Sequence, residues 1–406
     1  MHARPFAPLT TPHRVLHYAF MPEGEARVID RRNLRALCES RGLPGPASGA
    51  KHHRVDLGDF VLLWEGHTEF TTYSFEIPAA AGVEPFAPPA EGWRDPMSLV
   101  PAPGPLLAKV DLCLVSAPAD APAPAAFAGR DVARSSVERG RATIASDFAP
   151  DDRGFVRIAL LDHGLGAAKA GALARRALEI ETYRVLCLLG LPAAQEMAPA
   201  IRGVELALPA LIDGMRREGT MEDNRALLDR LIAHAAELER AASANAFRFG
   251  ATRAYHKLIE SRLAATGERP AEGAVGWGEF FARRLQPAVR TCNAVQRRAD
   301  ELSRRLARAA QLLRTRVEID LETQNAGVLR AMNDLARLQL RLQRTVEGLS
   351  VAAISYYVAS LAGHVFDGLH AAGYPVDPAV ATALAVPVAV LAVGVVVWRI
   401  RSRHGE

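Results

Sequence analysis

AVATALAVPVAVLAVGVVVW, residues 379–398, runs for twenty positions without a charged side chain. At helical rise this is roughly 30 Å, the thickness of a bilayer's hydrocarbon core. A second uncharged stretch, residues 348–366, is more polar and carries Ser350, Ser355, Tyr356, Tyr357, Ser360 and His364. Between them, residues 367–378 hold Asp367, Gly373, Pro375, Asp377 and Pro378 with no Lys or Arg, which reads as a short external loop. Arg337, Arg341 and Arg344 precede the first span and Arg399, Arg401 and Arg403 follow the second. Basic residues at both outer ends place those ends on the cytoplasmic side of a two-helix transmembrane hairpin with a basic tail at 399–406. Pro387 interrupts the second span, where a kink is tolerated if neighbours satisfy the freed carbonyl.

Upstream, residues 288–366 contain no proline and are rich in Arg, Leu, Ala, Glu and Gln, all good helix formers. A continuous helix of that length measures about 120 Å. Apolar residues recur at steps of three and four from Leu302, Leu306, Ala309 and Leu313 to Leu335, Leu338 and Leu342, with polar Gln324 midway. That spacing predicts a coiled-coil-like stalk over 288–347 that needs a partner along its seam. The arginines on its other faces, among them Arg304, Arg308 and Arg330, suit a solvated face or contact with lipid phosphates. Residues 166–287 read as a helical domain, with helices over Glu179–Leu189 and Asn224–Leu263 and a loop near Gly267–Gly278.

Before residue 165 the pattern changes to short β-type runs, Val61–Glu65, Glu69–Ile77, Leu106–Val115, Ser136–Ser146 and Phe155–Leu161, with a short helix over Asn33–Ser40. Pro- and Ala-rich loops at 78–105 and 117–126 separate them. The expected fold class is α+β: an α/β-type cytoplasmic domain over 1–165, the helical layer and stalk, then the hairpin. The net charge of +4 and pI near 9.0 suit an anionic membrane surface and do not call for nucleic acid. Cys38, Cys113, Cys187 and Cys292 lie far apart with no CxxC pair, which fits a reducing compartment. The first thirty residues hold no apolar run of signal-peptide length.

Phosphate-binding glycine loops, nucleophile elbows and HExxH are absent, which points away from an enzyme. The most suggestive polar cluster is Trp64-Glu65-Gly66-His67-Thr68-Glu69-Phe70. Were it strand, Glu65, His67 and Glu69 would share one face and could hold a divalent cation, with His52 and His53 nearby. His2, Arg4, His13, Arg14 and His17 form a second polar set that also suits an ordinary surface. In the first span, Ser350, Tyr357, Ser360 and His364 share one helix face, which suits a pore lining or a helix-packing surface. Ala381, Ala385 and Ala389 give the second span a small face for close packing.

Three stretches together resemble a bacterial family of membrane-anchored proteins known as domain of unknown function 3422. They are His2-Ala3-Arg4-Pro5-Phe6, Trp64 to Tyr73 with Thr68 and Phe70, and the block from Arg290 through Gln324-Asn325 to Tyr356-Tyr357. The resemblance spans nearly the whole chain and brings no catalytic residues with it. In architecture the chain is also similar to CorA-type magnesium transporters, although their Gly-Met-Asn loop is replaced here by Asp367-Gly368-Leu369-His370.

The leading expectation is an oligomeric protein of a bacterial inner membrane whose cytoplasmic domain binds a ligand and gates a CorA-like ion pathway. A non-conducting, membrane-anchored scaffold or ligand-binding protein is the alternative, and a metal-dependent enzyme at His67 and Glu69 the third. The partners expected are the lipid bilayer and further copies of the chain, with a divalent cation as the one cofactor considered.

Overall fold

The computed structural model describes residues 7–80, 82–87, 93–217, 219–375 and 377–403. His2, Arg4 and Pro5 lie outside the described residues. In chain order the elements are β1 (His13–Phe20), α1 (Ala26–Ser40), β2 (His52–Asp56), β3 (Val61–Gly66), β4 (Thr71–Pro78), β5 (Leu106–Ser116), β6 (Ala133–Val137), β7 (Ala142–Ser146) and β8 (Val156–Asp162). There follow α2 (Ala167–Leu188), α3 (Gly190–Arg216), α4 (Met221–Thr266), β9 (Arg269–Pro270), α5 (Trp277–Arg284), α6 (Gln286–Ala371) and α7 (Pro378–Arg403).

The chain divides into two compact units, residues 1–219 with 226–311 and residues 220–225 with 312–406. The first holds one open nine-stranded sheet in the order β2-β3-β4-β1-β5-β8-β7-β6-β9. Its neighbours are antiparallel except for β5 with β8. That mixed pattern and the helices that follow it bear out a mixed α/β N-terminal region and a helical layer.

Alternation along the strands sends Leu16, Tyr18, Leu62, Trp64, Tyr73 and Phe75 to one face, where they pack with Leu34 and Cys38 of α1. On the opposite face, Val110, Leu112, Leu114, Ile158 and Leu160 bury against Leu173, Ala177, Ile180 and Leu186 of α2. Burial of such side chains contributes roughly 1.5–3 kcal/mol each and fixes the sheet register. Gly171 on α2 lets the chain before β1 cross the helix, since a Cβ there would stand 2.0 Å from the Ala7 carbonyl oxygen. Leu9 N–H then donates to Ala167 C=O at 3.0 Å.

Two local readings are corrected, and one helix is added. Ser136–Ser146 is two strands, because β6 and β7 fold into a hairpin over Glu138–Gly140, with Glu138 and Arg139 at positive φ. His13, Arg14 and His17 are not a loose surface set but lie on β1, a central strand, with His13 and His17 on one face and Arg14 on the other, where it pairs with Asp111. A helix spans Gly190–Arg216 despite the internal Pro199 and Pro209, which mask it in the sequence.

In the second unit, α6 and α7 approach each other at Gly363 and Thr382. Seam residues Leu313 and Val317 are buried, whereas Leu335, Leu338 and Leu342 are exposed. Within the apolar spans, Ser355 and Ala359 of α6 and Ala389 of α7 are buried. The helical stretches Trp277–Ala371 and Pro378–Ile400 are long and apolar enough to cross a membrane; their most apolar windows have mean hydropathy 1.5 and 2.6.

Candidate functional site

Four strands of the sheet carry an unusual face. On β4, Tyr73 and Phe75 go to the α1 core, so Thr72, Ser74 and Glu76 go to the side of α2. The register sets Glu65 of β3 beside Thr72, His17 of β1 beside Ser74, and His52 of β2 beside Glu65. A hydroxyl- and carboxylate-bearing patch thus lies beside strands β5 and β8, which present Val110, Leu112, Leu114, Val156, Ile158 and Leu160 on that face.

The patch floors a cavity of about 470 Å³. Its roof is one face of α2, where Ala174, Arg175, Leu178 and Thr182 succeed one another at steps that keep them on one side of a helix. Pro8 and Leu9 close one edge, and His67 and Phe70 from the β3–β4 turn close another. Leu63, Val15 and Tyr183 supply apolar wall. The volume falls within the range typical of small-molecule sites, and the mixture of apolar wall and convergent polar groups is what such sites have in common.

His17 holds the centre. Its Nδ1 is 2.8 Å from Ser74 Oγ and its Nε2 is 3.1 Å from Thr182 Oγ1. The Thr182 hydroxyl donates to Leu178 C=O at 3.0 Å, so it accepts from His17 Nε2–H. Nδ1 is then left to accept from the Ser74 hydroxyl. Burial pushes the His17 pKa down to about 4, against the opposing pull of Glu65. The ring is therefore neutral near pH 7 with both nitrogens engaged. It is too weak a base to take the Ser74 proton, but it fixes the Ser74 oxygen as an acceptor toward the cavity.

Ion pairs frame this centre. Arg175 donates to Glu65 at 2.7 Å and to Glu179 at 3.1 Å, and Glu179 also accepts from Arg262 of α4 at 2.6 Å. Burial alone would lower the Arg175 pKa, yet Glu65 and Glu179 hold it above the ordinary guanidinium value. Arg54 donates to Glu76 at 2.8 Å. Burial raises the Glu76 pKa and Arg54 opposes the rise.

The polar cluster singled out in the sequence reaches this site in a different form. His67 to Phe70 is a turn, closed by His67 N–H donating to Phe70 C=O at 2.8 Å, so the strand alternation that would align Glu65, His67 and Glu69 does not run through it. Glu65 turns to Arg175, while Glu69 pairs with Arg248 and accepts from Tyr255 at 2.9 Å. His67 stacks on Phe70 with ring centroids 4.2 Å apart. Among the described residues no group of three or more His, Cys, Asp or Glu side chains is placed to hold a metal ion. Trp64 donates to buried Asp30 at 2.9 Å, and Thr68 is exposed at the turn. His52 lines the cavity, and His53 lies on the opposite side within 3.7 Å of Cys38 Sγ.

In the second unit Ser350, Tyr357, Ser360 and His364 are all exposed, whereas Ser355 and Ala359 of the same helix are buried. Ala381 and Ala385 are half-buried, in line with Ala389.

The family model described as "Protein of unknown function (DUF3422)" matches residues 1–404. The chain belongs to that family. No curated protein matches it. In this DUF3422 protein Glu65, His67, Phe70 and Thr72, from the stretch Trp64–Tyr73, line the cavity. Ser74, Glu76, Arg175 and Thr182 were not singled out in the sequence, and Thr72 only within the stretch Trp64–Tyr73. The signal that marks them is the polar set at alternate positions of a strand whose intervening residues are aromatic.

Proposed function

We propose that this DUF3422 protein is a membrane-anchored binding protein for a small polar organic molecule. The observation that carries the reading is the cavity of about 470 Å³ over Ser74, Glu76 and Glu65, with a neutral histidine locked beneath it. The ligand suited to it has hydrogen-bond donors for Ser74 and the carboxylates and an apolar part for Leu63, Val15 and Tyr183. The low basicity of His17 favours binding over acid–base catalysis. Metal-dependent chemistry at His67 and Glu69 has no support in the way their neighbours are paired.

Anchoring is supported by the two long apolar helices, only 6% of whose most apolar windows is buried within the chain; a core helix would be covered. The arginines outside both spans support a hairpin with its ends on the cytoplasmic side of a bacterial inner membrane. The full-length protein, purified in mild detergent, is screened against a panel of small metabolites by thermal shift. At least one compound raises the melting temperature, and Leu63→Trp, which fills the cavity, abolishes the shift while leaving the unliganded melting temperature close to wild type. A panel without effect, together with no small molecule released on denaturation, removes the reading.

A second reading, a CorA-like ion pathway, is favoured by one observation: Ser350, Tyr357, Ser360 and His364 are uncovered on α6. Proteoliposomes that pass neither magnesium nor monovalent cations dispose of it.

A further inference from the structure

The exposed half of α6 has two sides of opposite character. On a helix turning about 100° per residue, Val328, Ala331, Leu335, Leu338, Leu342 and Leu349 lie within roughly 40° of one line. Leu335, Leu342 and Leu349 are 70%, 68% and 73% exposed. Arg330, Arg337, Arg341 and Arg344 fall on the far side, and no charged residue between Val328 and Leu349 comes within about 70° of the apolar line. Followed into the uncharged span, the same side of the helix carries Ser360, His364, Tyr357 and Ser350 within about 80°. α7 flanks one edge of this face, where Gly363, about 60° from the line on the side away from Tyr357 and His364, lies beside Thr382, and the buried Ser355 and Ala359 lie farther round on that side.

We infer that this face is the contact between two copies of the chain, packed in parallel and in register from Val328 to His364. The parallel orientation rests on the membrane reading, because anchors in one bilayer with one topology bring both helices in from the same side. The occupant is chosen by matching along the face. Above the bilayer its central strip, within about 40° of the line, offers only apolar groups, with Gln339, Thr345 and Asp334 at its margins, and a second copy returns apolar groups at the same height, with both arginine rows turned outward. Within the bilayer it offers hydroxyls and an imidazole, which lipid tails cannot satisfy. A second copy in register presents the same hydroxyls and imidazole at the same depth, as donors and acceptors both. A helix from another protein would have to reproduce that switch from apolar to polar at the same position, which self-pairing supplies by symmetry.

The test uses the full-length chain in lipid vesicles. Flotation on a density gradient comes first: protein that fails to float refutes the anchor, whereas protein that floats but has a monomeric mass in lipid nanodiscs refutes the self-contact alone. Leu342→Cys and Arg344→Cys are then oxidised in vesicles, the native cysteines being buried. The seam variant should give about tenfold more disulfide-linked dimer than the far-face variant, because only a residue facing its own copy sits within disulfide reach. The double variant Leu335→Arg/Leu342→Arg should float and keep its helical circular dichroism while its mass falls to that of a monomer. Equal cross-linking from both faces, an unchanged mass in the double variant, or a stable complex with a different protein and no self-cross-link overturns the inference.

Discussion

His17 on β1 and Thr182 on α2 stand 165 positions apart in sequence, yet a 3.1 Å hydrogen bond joins them across the floor and roof of the cavity. The contact makes the site sensitive to acid in a defined direction. Burial lowers the His17 pKa from 6.5 to about 4 in the folded state, so the unfolded chain binds the proton more readily. Stability from this group is fully present above pH 6.5 and is lost as pH falls toward 4, a difference on the order of 3 kcal/mol. Urea unfolding of wild type and His17→Phe between pH 4 and 8 checks it. The stability difference between them should change across that window and stay flat above it; a pH-independent difference would show that the ring is not held neutral.

Arg175, with only 19% of its side chain exposed, bridges Glu65 at 2.7 Å and Glu179 at 3.1 Å. Arg175→Met leaves two carboxylates beside the cavity with one guanidinium fewer, and is expected to cost about 2–4 kcal/mol, toward the lower end because the group is not fully enclosed. Adding Glu65→Gln removes the charge that Arg175 had compensated. The double variant should therefore recover about 1 kcal/mol or more of the loss, read as a non-additive term in a double-mutant cycle. Additive losses would mean the two side chains do not act as a pair.

Beneath the other face of the sheet, buried Asp30 accepts from both Trp64 Nε1 and Tyr73 Oη. Burial raises the Asp30 pKa, and the bonds from Tyr73 and Trp64 oppose that rise. Asp30→Ala leaves two buried donors without an acceptor and is expected to destabilise by about 2–4 kcal/mol. Thermal melting of full-length protein reads the loss directly. Tyr73→Phe should cost less, since it removes one donor together with its need for an acceptor.

Much of the sheet was legible because strands such as β5 and β8 are apolar runs bounded by turn residues, and α4 because its apolar positions recur with helical period. The site was harder to read. Thr72, Ser74 and Glu76 look like the solvent side of an ordinary strand until α2 is placed over them, and nothing local says that His17 will meet a threonine more than a hundred residues away. Spacing also misled at Glu65, His67 and Glu69, since period-two reasoning assumes an extended chain and a tight turn breaks it. Gly190–Arg216 escaped because two prolines outweighed a helical pattern that tertiary packing sustains. Along α6 the apolar seam was plain, but spacing alone does not say that Leu302, Leu306, Leu313 and Val317 are buried while Leu335, Leu338 and Leu342 are exposed.

That bare surface gives the membrane reading its sharpest test, at Val390 of α7, which is 46% exposed. If α7 lies in water, Val390→Asp replaces an exposed apolar group by a charged one and should change stability by no more than about 0.5 kcal/mol, with better solubility. If α7 lies in lipid, the same carboxylate sits near the middle of the span and opposes insertion by roughly 2.5–3.5 kcal/mol. Alkaline extraction of membranes from expressing cells separates the two cases. Wild type should stay in the pellet and Val390→Asp should move substantially to the supernatant, whereas Val390→Leu should behave as wild type. A C-terminal tag on the wild type should resist added protease in intact spheroplasts, because the proposed hairpin keeps Arg399 and the residues after it on the inner side. Digestion of that tag, or a wild-type protein released by alkali without detergent, would put α7 outside the bilayer.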